Sequence, residues 1–181
     1  MKTLLLSFCL LLGFYVAKSQ NDVTLPIDST TKTVAFISIE NIDSVSKDEL
    51  FSRALSWFGK SYNSAKKVIQ TEDRLGGVII AKPLFSMYSV GVFGEEMQLG
   101  NVVNYTLSVY VKDNKYRVIV SDFIYKSSTQ SWIVPASGNT QNFSFSIKYW
   151  NKVRTECIKE AEKVRISLNK AMTIPKVKND W

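Results

Sequence analysis

Tyr105-Thr106-Leu107-Ser108-Val109-Tyr110-Val111-Lys112-Asp113-Asn114-Lys115-Tyr116-Arg117-Val118-Ile119-Val120 reads as two strands and the turn that joins them. Tyr105, Leu107, Val109 and Val111 alternate with Thr106, Ser108, Tyr110 and Lys112, the period of a strand with one buried face. Asp113-Asn114 supplies a two-residue turn. With that turn, Val111 faces Tyr116, Val109 faces Val118 and Leu107 faces Val120, all on one side. Tyr110 and Arg117 then pair on the other side. A slip of one residue would carry polar groups into the core, so the hydrophobic pattern itself selects this register.

Working outward, Thr33 to Glu40 is rich in β-branched and aromatic residues and reads as a strand. Ser46 opens a helix through a capping box with Glu49, and Val45 and Leu50 occupy the positions of a hydrophobic staple. Leu50, Ala54, Leu55, Trp57, Phe58 and Tyr62 recur at helical spacing, and the helix is expected to end near Gly59 or Asn63. Lys66 to Thr71 and Gly76 to Leu84 read as strands joined by Glu72-Asp73-Arg74, and Phe85 to Gly100 reads as a looser stretch. Phe123 to Pro135 continues as strand and loop, with Trp132 and Val134 able to pack. Ser137 to Asn142 is a further loop. From about Tyr149 a long helix carries Trp150, Val153, Cys157, Ala161, Val164, Leu168 and Ala171 as its apolar stripe, and Thr173 and Pro175 end it. The order strand, helix, antiparallel strands, helix predicts an α+β fold: a curved antiparallel sheet with two helices packed on one face, so that both stripes are buried.

The first nineteen residues read as a secretory leader. Met1-Lys2 starts positive, Leu4 to Val16 is apolar, and Ala17-Lys18-Ser19 places small residues where a leader peptidase reads them, with cleavage expected before Gln20. Residues 20–31 are polar and read as a flexible lead-in, 32–173 as one α+β domain, and 174–181 as a C-terminal tail. The mature chain has no other segment long and apolar enough to cross a bilayer as a helix. Its expected place is the periplasm or the cell surface.

The chain has 181 residues, no histidine and two cysteines. Without histidine, Ser-His-Asp and Cys-His devices and His-ligated zinc are excluded. Cys9 leaves with the leader, so Cys157 stands alone and no internal disulfide forms. Bulky Phe8 precedes Cys9 within the apolar run, which argues against lipid attachment there. Loss of Lys2 and Lys18 leaves 21 basic against 16 acidic residues, a mature charge of +5. The excess is concentrated between Lys148 and Lys178, on the last helix and beyond it.

Several of these segments together resemble a family known as domain of unknown function 4468, which has a TATA-binding-protein-like fold. The resemblance is carried by Leu50-Phe51-Ser52-Arg53-Ala54 with Trp57, by Val68-Ile69-Gln70-Thr71-Glu72-Asp73, and by Gly76-Gly77-Val78-Ile79-Ile80-Ala81-Lys82. Tyr105 to Asp113 with Lys115-Tyr116-Arg117 completes it, so that it spans roughly Lys32 to Tyr125. It implies that fold and an exported protein of Gram-negative bacteria, in agreement with the leader. It implies no activity, no cofactor and no catalytic residue.

Two surfaces stand out as candidates. Tyr110, Arg117 and Tyr125 are placed on the sheet face away from the helices, where aromatics beside an arginine suit a binding surface. Stacking of Arg117 on Tyr110 accounts for that pair equally well. Lys152, Lys159 and Lys163 give the last helix a basic face for an anionic partner. Glu156, Glu160 and Glu162 each precede a basic residue by three positions, the spacing of a self-paired, solvated helix. Glu72-Asp73 and Glu95-Glu96 read as solvated loop charges rather than paired catalytic or calcium-binding carboxylates. Cys157 lies on the apolar stripe and reads as a buried thiol. The resulting expectation is a non-catalytic exported module, binding or structural, that uses an open sheet face. Its partner would be an envelope protein or an anionic envelope component, not nucleic acid, and no metal or cofactor is implied. The alternative is an enzyme relying on carboxylates or lysines, which requires a cleft where such groups converge.

Overall fold

The computed structural model describes residues 22–90, 96–138 and 146–174, with backbone alone at 89–90 and 96–99. The leader, Glu95 and nearly all of the C-terminal tail lie outside the described residues. In chain order the elements are β1 (Ala35–Asn41), α1 (Lys47–Ser61), α2 (Ala65–Val68), β2 (Ile69–Asp73), β3 (Val78–Ala81), β4 (Leu84–Val90), β5 (Glu96–Lys112), β6 (Lys115–Lys126), β7 (Ser131–Ile133) and α3 (Ile147–Thr173). The seven strands described form one antiparallel sheet in the order β1-β6-β5-β3-β2, with β4 continuing beside β5 and β7 beside β6. It is an open α+β sheet, and the buried faces of α1 and α3 share one core with the inner sides of β5 and β6.

The β5–β6 hairpin has the register its alternation demands. Val111 pairs with Tyr116, Val109 with Val118, Leu107 with Val120, and Tyr110 with Arg117. Asn114 takes a positive φ of 64° at the turn. The tip then docks on the start of α1: Asp113 Oδ1 accepts from the Lys47 amide at 2.7 Å, and Asn114 Oδ1 from the Val45 amide at 3.2 Å. A carboxylate there satisfies an amide that has no partner within the helix and meets the positive end of its dipole. Ser46 caps the same helix by accepting from Glu49 N at 3.3 Å, and Leu50, Phe51, Ala54, Trp57 and Phe58 form its buried face.

Helix α3 is held along its whole length. Ser146 caps it, accepting from Tyr149 N. Trp57 Nε1 donates to Ser167 Oγ at 3.2 Å, and the Arg53 guanidinium donates to the Met172 carbonyl in the last turn. Cys157 is buried on its stripe, and desolvation pushes its thiol well above the ordinary range. The native thiol is therefore expected to resist a bulky thiol reagent until the chain unfolds. Cys157→Ala should fold with a loss of about 1 kcal/mol in urea unfolding, the cost of a small cavity. Rapid labelling of the native state would contradict this placement.

Four local expectations are corrected. Within Phe85 to Gly100, the described residues are not loose: Leu84–Val90 pairs as a strand with β5, which begins at Glu96, while 91–95 lie outside the described residues. Leu84 and Tyr88 are exposed while Met87 is buried, so apolar residues lie on both sides and the period-2 contrast disappears. Lys66 to Thr71 is not a single strand, since one helical turn, α2, precedes β2, and the following turn falls at Arg74–Gly77. The segment from Asp22 to Thr31 is not a flexible lead-in. Val23 N donates to Asn151 Oδ1 at 2.8 Å, Leu25 N to the Ala136 carbonyl at 2.8 Å, and Leu25 is buried. Arg154, absent from the expected stripe of α3, is fully buried within it.

Candidate functional site

Strand alternation sorts the sheet into a helix-covered face and an open one. On the open face, β1 contributes Ile37 and Ile39, β6 contributes Lys115, Arg117 and Ile119, β5 contributes Ser108, Tyr110 and Lys112, and β3 contributes Val78 and Ile80. The pairings Ile39–Arg117, Ile37–Ile119, Tyr110–Arg117, Ser108–Ile119, Val78–Tyr110 and Ile80–Ser108 set them in rows. Ile37 and Ile39 keep 46% and 63% of their surface exposed, yet Ser108 in the middle keeps only 8%, so its neighbours rise around it. The Arg117 guanidinium lies 4.6 Å from the centre of the Tyr110 ring. A groove of about 290 Å³ at the hairpin end of the face is lined by Ile39, Gly76, Tyr110, Lys112, Lys115 and Arg117, among others. A second groove, about 530 Å³, is lined by Ile27, Val34, Ile124 and Ile133 together with Lys82 and Asp122.

Tyr125 does not belong to this face. The β5–β6 register shifts between Asn104 and Thr106, and Asp122 takes a positive φ of 53°. That bulge places one extra residue on β6, so even positions point inward up to Val120 and odd positions from Phe123 onward. Tyr125 is consequently buried in the core, its hydroxyl 2.8 Å from that of Tyr149 and its ring against Trp132 and Trp150. Sequence reasoning did not single out Ile37, Ile39, Lys112 or Lys115 for this face, and it missed Ile133, which pairs with Ile124 and is 77% exposed. A lone isoleucine in a three-residue strand carries no periodic signal that could have found it.

The basic helix face is neutralised in part. Lys159 pairs with Glu156 at 2.8 Å, Lys163 with Glu160 at 3.2 Å, and Arg165 with Glu162 at 2.6 Å, as the three-residue spacing predicts. Lys152 lies on the same stripe, half-buried. Lys159, Lys163, Glu156 and Glu160 do converge on a cleft of about 450 Å³ beside Tyr62, Phe85 and Tyr88. There Glu160 Oε1 also accepts from the Tyr105 hydroxyl at 2.9 Å, and that hydroxyl lies 3.2 Å from Tyr62. Burial pushes the Tyr62 hydroxyl up to about 12, so it stays protonated. Of the other carboxylates, Asp73 accepts from Gly76 N at 2.8 Å, while Glu72 is exposed. Among the described residues, no helix is long and apolar enough to cross a membrane.

Comparison with known proteins places the fold in context. The chain resembles the crystal structure of a DUF4468 family protein from Bacteroides ovatus, with a TM-score of 0.66 and 14% identity over 86% of this chain and 94% of that one. It also resembles a TBP-like protein from Parabacteroides distasonis, with a TM-score of 0.64 and 15% identity over 81% of this chain and 96% of that one. No curated protein matches. With its family model matched over residues 36–126, the chain belongs to the family described as a domain of unknown function (DUF4468) with TBP-like fold.

Proposed function

We propose that the chain is a non-catalytic binding module of the bacterial envelope, exported by its leader, which holds its partner on the open face of the sheet. The supporting observation is the pair of neighbouring isoleucines left in water there: Ile37 and Ile39 keep 46% and 63% of their surface exposed, and Ile133, at the second groove, keeps 77%. Covering such side chains yields on the order of 1 kcal/mol or more each, and contiguous apolar surface marks interaction sites. A catalytic reading needs an acid, base or nucleophile free to act. In the Tyr62 cleft each glutamate is already paired with a lysine, and the chain has no histidine.

Affinity capture from the envelope fraction tests the location of the site. Capture by the mature protein should be lost with Ile37→Asp and Ile39→Asp together. It should survive Lys152→Glu, Lys159→Glu and Lys163→Glu together. The opposite result would move the site to α3.

A further inference from the structure

We infer that the open face takes an acidic polypeptide segment in extended form, its carboxylates against Lys112, Lys115 and Arg117 and its apolar side chains along Ile39, Ile37 and Ile119. The inference rests on the reading of that face as the binding surface, and it adds the chemistry of the partner.

Charge carries it. Lys112 and Lys115 are directly paired across the hairpin, with Arg117 two positions along the same side of β6. Like charges set opposite each other destabilise a strand pair. Ion pairs hold Arg53, Arg154, Lys159, Lys163 and Arg165, while Lys112, Lys115 and Arg117 stand together around one groove. Among the described residues, none of the three cations at the hairpin end has a carboxylate within ion-pair distance. Asp113, beside them in the turn, accepts from the Lys47 amide, and Asp73, on the row of Val78, Tyr110 and Arg117, accepts from the Gly76 amide. Three uncompensated cations rim a groove of about 290 Å³ whose floor is apolar and aromatic.

Geometry narrows the partner further. The Arg117 guanidinium lies over the Tyr110 ring, and among the described residues it pairs with no carboxylate, so it suits a two-pronged bond to a carboxylate of the partner. Ser108, in the middle of the face, is covered by its neighbours, whereas the groove and its three cations lie at the hairpin end. A two-fold contact with a second copy centred on the groove would set these cations against themselves. An extended chain, with side chains alternating about every 3.3 Å, can place carboxylates at the cationic end and apolar groups over the isoleucines.

Fluorescence anisotropy with a labelled octapeptide carrying glutamate at positions 1 and 3, leucine at positions 5 and 7 and serine between them, so that all four face the sheet, tests this, using the mature chain. The expected result is binding that weakens as salt rises, because exposed charges are screened. The same peptide with lysine in place of glutamate should not bind. Lys112→Glu with Arg117→Glu should lower the affinity at least about tenfold, while Lys112→Gln with Lys115→Gln gives a smaller loss. Circular dichroism of each variant checks that the sheet persists. Equal binding of the lysine peptide, or indifference to the reversals, overturns the inference. If Ile39→Asp abolishes binding while the reversals do not, the face reading stands and the acidic partner falls. Binding of phosphatidylglycerol vesicles without binding of the peptide overturns it in favour of a membrane. Failure of the peptide to bind any form also overturns it, while the capture experiment still decides the face.

Discussion

Asp22→Ala is expected to lower the unfolding free energy by about 3 kcal/mol, although the residue lies at the very start of the described chain and is partly exposed. The reason is Arg154, which is fully buried on α3. Its Nη2 donates to Asp22 Oδ1 at 2.5 Å and to Asn151 Oδ1 at 2.7 Å, and its Nη1 donates to the Gly138 carbonyl at 3.0 Å. Asp22 Oδ2 in turn accepts from Gly138 N at 2.5 Å, so one carboxylate joins the N-terminal segment, a loop and a helix. Desolvation lowers the pKa of the guanidinium, and the charge of Asp22 opposes that shift. Removing Asp22 leaves a buried cation with only neutral acceptors. Breaking such a pair costs more than replacing both members by apolar groups, so Asp22→Ala with Arg154→Met should regain most of the loss. Urea unfolding of the two single variants and the double variant measures the coupling. A loss below about 0.5 kcal/mol for Asp22→Ala would show that the segment is not part of the cooperative fold.

Gly77→Ala is expected to cost a similar amount, about 3 kcal/mol, while its neighbour Gly76→Ala costs only about 1 kcal/mol. Gly77 has a positive φ of 69°, and a methyl group there would sit 2.5 Å from the Val111 carbonyl oxygen. That oxygen cannot retreat, because Val111 N donates to the Gly77 carbonyl at 2.8 Å and ties β5 to the turn before β3. At Gly76 the added methyl meets only the Asp73 carboxylate, which can swing away at the expense of its bond to the Gly76 amide. Thermal or urea unfolding of both variants separates backbone strain from a lost side-chain bond. Equal losses would mean that the turn relaxes and that β3–β5 pairing does not constrain it.

Local rules account for much of what the chain builds. The cap at Ser46, the stripe of α1, the Asp113-Asn114 turn and the register of β5 against β6 each follow from neighbours in sequence, because capping, alternation and turn closure act within a few residues. The three glutamate-to-basic pairs on α3 were legible for the same reason, being set by helical spacing alone. The pairing of Tyr110 with Arg117 followed directly from the hairpin register.

By itself, the sequence determined the α+β class, the hairpin and its two-sided register, the buried thiol and the self-paired charges of the last helix. Only the tertiary structure decided the phase of β6 beyond Val120, because a bulge is a compromise between strand twist and core packing that no local period records. That one residue removed Tyr125 from the open face and brought it among Tyr149, Trp132 and Trp150. Tertiary structure alone likewise buried Arg154, since its carboxylate partner lies 132 positions away in a segment that has no periodicity. It also left Lys112, Lys115 and Arg117 without acids of their own, because docking the hairpin tip on α1 commits Asp113 to a helix amide.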